Sequence, residues 1–105
     1  MDLQKILETI KENLEGEGWI RPNHQWSIEP DPDYPGADWI FNVVIQTDHS
    51  HQAGHYAWLA SGEIGGFGGS SVKVDGITWL IGDGDDYKAA KLEGDTVRIW
   101  VRNLS

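Results

Sequence analysis

The stretch at 48–71, DHSHQAGHYAWLASGEIGGFGGSS, decides how the chain is read, because it joins the clearest strand pattern to the clearest hairpin pattern. It holds three of the four histidines and the densest run of glycines. Within it Tyr56, Trp58 and Ala60 alternate with His55, Ala57 and Leu59, which is the period of a strand. Residues 55–61 are therefore expected to pair antiparallel with the segment before them, closing a long hairpin around a histidine loop. His51 and His55 are spaced as on one helical face, but Gly54 and the alternation that follows argue against a helix.

Upstream, WIFNVVIQT at 39–47 reads as a strand with Trp39, Phe41, Val43 and Ile45 on one face. Its other face carries Ile40, Asn42, Val44 and Gln46, and apolar residues on both sides predict a central position. Downstream, Asp75-Gly76 between SVKV and ITWLI suits a two-residue type I′ turn. The implied register pairs Val74 with Ile77 and Val72 with Trp79, leaving Lys73 and Thr78 on the opposite side. A last strand over 96–102 turns Val97, Ile99 and Val101 inward and Arg98, Trp100 and Arg102 outward, and is a possible exposed edge. Residues 87–95, YKAAKLEGD, read as a short helical piece or loop.

At the N-terminus Leu3, Ile6, Leu7, Ile10 and Leu14 recur at spacings of three and four, predicting a helix over 2–15 that Asp2 caps and Gly16 ends. A short strand at 24–29 follows, with Trp26 and Ile28 on one side. EPDPDYPGAD then reads as an extended surface loop, because its prolines remove ladder donors. The sum is one α+β domain spanning 1–105: an N-terminal amphipathic helix on an antiparallel sheet of about five strands. Closely spaced strands leave a small β-barrel or sandwich with one helix as the alternative.

Composition narrows the function. Without cysteine there is no disulfide framework, thiolate metal site or catalytic thiol. The N-terminal segment lacks a signal peptide's continuous apolar core, and no apolar run approaches the roughly 20 residues of a membrane span, so a cytoplasmic protein is expected. Seventeen acids against eight bases give a net charge of −9, and no Lys or Arg occurs between Arg21 and Lys73. Phosphate binding rests on Lys and Arg, so free nucleic acid and anionic membranes are poor partners, whereas a basic protein surface suits the charge.

The candidate contact residues are Glu29, Asp31, Asp33, Tyr34 and Asp38 on the proline loop, with Asp48, Glu63 and Phe67 around the histidine and glycine segments. A rival surface is Arg98, Trp100 and Arg102, since Trp and Arg favour interfaces. His49, His51 and His55 with Asp48 are suitable ligands for a divalent metal, although the HExxH pattern is absent; no other cofactor is implied. IGGFGGSS lacks the GKS or GKT of a phosphate loop, and a hairpin rather than a helix follows it. The spacing of Asp83, Asp85 and Asp86 starts like a calcium loop, but Gly94 occupies the twelfth position. No serine sits in a nucleophile elbow. The expected function is therefore non-enzymatic: a small acidic protein-binding domain, an inhibitor of the immunity-protein or phage counter-defence kind, occupying a basic surface of its target. The alternatives are a metal- or small-ligand module using the histidine and glycine loops, and a tryptophan-lined carbohydrate-binding domain. Oligomeric state is not legible.

Overall fold

A computed structural model of the chain describes residues 1–62, 65–82 and 89–103. The apolar stripe at the N-terminus forms helix α1 (Leu3–Gly16), which buries Ile6, Leu7, Ile10 and Leu14. The Asp2 side chain accepts from Lys5 N at 3.1 Å, satisfying one of the first-turn donors. The helix runs through Gly16, and Gly18, with φ +82°, makes the left-handed turn instead. Its first turn is tied to the Asp75 turn by a 2.5 Å Lys5–Asp75 ion pair, more than half exposed at both ends and so a minor contributor to stability.

Strands β1 (Gln25–Pro30) and β2 (Ile40–Gln46) pair antiparallel, with Trp26 opposite Ile45 and Ile28 opposite Val43. Hairpin β3 (Ser70–Val74) and β4 (Ile77–Ile81) has the expected register, Val74 opposite Ile77 and Val72 opposite Trp79. Asp75 and Gly76 both have positive φ, +51° and +82°, as a type I′ turn requires. Strands β5 (Ala90–Glu93) and β6 (Thr96–Asn103) form a further hairpin, so the piece expected to be helical or loop pairs as a strand.

The sheet order is β1-β2-β6-β4-β3, with β5 also on β6, and it is not closed into a barrel. β6 is central rather than an edge: β2 runs along one side, and β5 and β4 share the other. They meet opposite Trp100, whose N–H donates to Ala89 O and whose carbonyl accepts from Gly82 N.

The main departure is at 50–61. This segment is helix α2 (Ser50–Ser61), not a strand, and it buries Ala53, Tyr56, Leu59 and Ala60 at spacings of three and four. The apparent alternation of 55–61 misleads because alanine serves both faces, while Trp58, on the side of Tyr56 and Ala60 in that pattern, is half exposed. His49 caps α2 through Nδ1, which accepts from His51 N at 3.1 Å, and Gln52 Oε1 reaches back to Asp48 N at 3.3 Å. Gly62 ends the helix in the left-handed region. We expect His49→Ala to cost about 1 kcal/mol and His49→Asp to recover most of it, measured by denaturant unfolding.

Both helices lie on one sheet face. Their buried side chains join Phe41, Val43, Ile45, Val72, Val74, Trp79, Ile81, Val97, Ile99 and Val101 in one core, with Trp79 against Phe41 at 5.8 Å. Trp79 is buried as the strand pattern implied, whereas Trp39 and Trp58 are exposed. Among the described residues the opposite face carries no helix, and it presents Asn42, Val44, Arg98, Trp100 and Arg102. No helix among the described residues is long and apolar enough to cross a membrane.

Candidate functional site

The helix-free face is where chemistry-bearing residues converge. β2 and β6 run in register there, placing Asn42 opposite Trp100 and Val44 opposite Arg98. β1 adds Glu29 opposite Asn42, and β5 adds Lys91 opposite Arg98. The Arg98 guanidinium bridges two strands: Nη1 donates to Glu29 Oε2 at 2.7 Å and Nε to Glu93 Oε1 at 3.0 Å. The Glu29 hydrogen bond raises the Arg98 pKa above its already high ordinary value, so Arg98 is a fixed cation at any working pH.

The proline loop folds over this face rather than extending into solvent. Asp31 is wholly buried: Oδ1 accepts from Asp33 N at 2.8 Å, and Oδ2 accepts from the Asn42 side-chain Nδ2 at 3.0 Å. A buried carboxylate requires such donors, and these two anchor the loop to the central strand. Pro32 and Asp33 are thereby held as one wall of a groove of about 390 Å³. Ala90, Lys91 and Glu93 of β5 form the other wall, and Asn42, Arg98 and Trp100 the floor.

No family model, curated protein or solved structure matches this chain.

Two surfaces that the sequence set against each other, the acidic loop and the Arg98–Trp100 strand, meet in this one groove. Arg102, two residues further along β6, lies opposite Ile40 and Leu80. Tyr34 and Trp39 form an exposed edge-to-face pair at the loop's far side, rings 5.0 Å apart. Asp38 is exposed beside them, and Asp48 is exposed at the other end of β2. Two of the expected contact residues are not available to a partner: Asp31 is fully buried, and Phe67, 2% exposed, packs in the core near Trp19. Glu63 and the aspartates at 83, 85 and 86 lie outside the described residues.

The histidines sit on the other side of the molecule, on and around α2. His49 and His51 rings lie 4.8 Å apart, and His51 and His55 share an exposed helical face after all. His24 Nε2 hydrogen-bonds the Tyr56 hydroxyl at 2.9 Å, and that hydroxyl also accepts from Arg21 N at 3.1 Å. His51 and His55 line a shallow cleft of about 420 Å³ with Gly18, Trp19, Arg21, Gln52 and Tyr56. Among the described residues no three His, Asp or Glu side chains gather as a metal site. His49 Nδ1 is engaged in capping α2, so only Nε2 of that ring is left to ligate.

The glycine segment turns out to be a packing device. Gly68 N donates to Leu59 O at 3.0 Å, and the loop lies directly on the C-terminal turn of α2. The residue that sequence reasoning missed is Asn42: a polar side chain in the middle of a central strand was the available signal.

Proposed function

We propose that this protein is a non-enzymatic protein-binding domain, an inhibitor of the immunity-protein or phage counter-defence kind, that uses its helix-free sheet face against a basic surface of its target. The observation that carries this reading is the groove beside Trp100. Its lining sets Asp33 and Glu93 against Lys91 and Arg98, and behind the lining Glu29, paired to Arg98, and the buried Asp31 make the surroundings net negative. An overall charge of −9 adds long-range attraction for a basic partner. Trp100 supplies aromatic area of the kind that anchors interfaces, and a sheet face presents its side chains without reorganisation.

The test is capture of a partner from the source cell, followed by association kinetics over a range of salt. The association rate is expected to fall roughly tenfold or more between low and near-physiological ionic strength, with dissociation changing less. Asp33→Asn and Glu93→Gln should each lower the association rate. A rate that ignores salt, or a partner whose contact surface is acidic, overturns the reading.

A carbohydrate-binding function is favoured by one observation, the exposed Tyr34–Trp39 pair. A glycan array comparing the wild type with Trp39→Ala decides it: no glycan that depends on Trp39 removes this second reading.

A further inference from the structure

Helix α2 carries no Asp, Glu, Lys or Arg over Ser50–Ser61, and positions 51 and 55 of its outer face, where a surface helix commonly places charge, are both histidine. Residues four apart on a helix are neighbours, with Cβ atoms about 5–6 Å apart, so two imidazoles at this spacing can reach one ion from the same side. Both histidines are exposed, and both line the same cleft of about 420 Å³. Among the described residues neither ring makes a hydrogen bond, which leaves the nitrogens of both available as ligands. The other two histidines are committed elsewhere. His24 Nε2 meets the Tyr56 hydroxyl, and His49 Nδ1 caps the helix.

The donors select the kind of ion. Imidazole nitrogen suits copper, nickel and zinc, whereas calcium and magnesium require oxygen ligands, and no carboxylate lines this cleft. Arg21, which does line it, opposes any cation held by charge alone. An ion bound here is therefore held by coordination.

We propose that His51 and His55 clamp one late first-row divalent ion, copper(II) most tightly, through one ring nitrogen each, with the other coordination positions left to water. The clamp spans the turn that contains Gly54, the α2 residue least suited to a helix interior. An ion across that turn stabilises the helix where its own propensity is weakest. The site lies on the helix side of the sheet and is independent of the sheet-face reading above.

The test uses the ¹⁵N-labelled full chain. Copper(II) added at substoichiometric levels is expected to broaden the amides of 51–55 first, and then those of 18–21 across the cleft. Zinc(II) at saturation should raise the thermal unfolding midpoint of the wild type by several degrees, because an ion bound by the folded helix alone stabilises it. His51→Ala and His55→Ala, both at exposed positions, should each abolish the zinc shift. Each should also weaken copper at least about tenfold, since even the supporting groups around a metal are worth that much. Calcium should neither move the midpoint nor displace copper. Broadening centred on His24, His49 or the proline loop overturns the clamp, as does displacement by calcium. An affinity that depends on only one of the two histidines, or on neither, overturns it equally.

Discussion

Gly68→Ala is expected to lower stability by about 3 kcal/mol or more, toward the upper end of what overpacking a well-filled site costs. A Cβ at this position would overlap the carbonyl oxygen of Ala60 and stand 2.6 Å from Gly62 N and 2.7 Å from the Ala60 carbonyl carbon. All three are backbone atoms, so no rotamer change relieves the collision. Moving the loop instead breaks the 3.0 Å bond from Gly68 N to Leu59 O, a last-turn carbonyl of α2 that also accepts from Gly62 N. Gly66 faces the same difficulty, with the Leu59 Cα 2.6 Å from its would-be Cβ. The control is Gly16→Ala, in the last turn of α1 with open space around it; there alanine should gain up to about 1 kcal/mol from helix propensity. Urea unfolding of the three proteins measures the difference. A Gly68→Ala variant as stable as wild type would show that the loop does not bear on α2 in this way.

The stretch at 48–71 is the least legible part of the sequence. Period and propensity were sufficient where one physical demand dominated: the stripe of α1, the doubly apolar β2, and the Asp-Gly turn that set the β3–β4 register to the residue. At 50–61 two demands conflict. The inner face of α2 uses small residues, Ala53 and Ala60, beside Tyr56 and Leu59, so that the helix can approach the sheet closely. Its outer face carries His51, His55 and Trp58 where a surface helix usually carries Lys and Glu. Amphipathic contrast is therefore weak, and the alternation of 55–61 fills the gap with a strand pattern. The signals that do exist are local ones at the ends: His49 in cap position, Gln52 reaching back to Asp48, and Gly62 in the left-handed region. β5 is obscured similarly, since Lys91 and Glu93 face away from the core and, of the two residues turned toward the helices, Ala90 is small and Leu92 is half exposed. For the site, the sequence supplied the acidic loop and the Arg98–Trp100 pattern as separate surfaces. Their union depends on β1, β2, β6 and β5 being neighbours, a long-range fact that no local pattern encodes.

Asp31→Ala is the second large effect to expect, about 2–4 kcal/mol, although the residue lies in a proline-rich loop that looks expendable. Asp31 is fully buried and its two oxygens satisfy Asp33 N and Asn42 Nδ2. Truncating it strands both donors, and Asn42, already lacking a partner at Oδ1, would then be a buried amide with neither end satisfied. Replacing both members avoids that outcome. Asn42→Val suits a central strand position between Glu29 and Trp100, and combined with Asp31→Ala it leaves only the Asp33 amide to find water at the exposed edge of the loop. The double variant should therefore be more stable than Asp31→Ala alone, with a coupling of about 1–2 kcal/mol in a double-mutant cycle followed by thermal or denaturant unfolding. Additive losses would mean that Asp31 and Asn42 act independently and that the loop is held by its prolines.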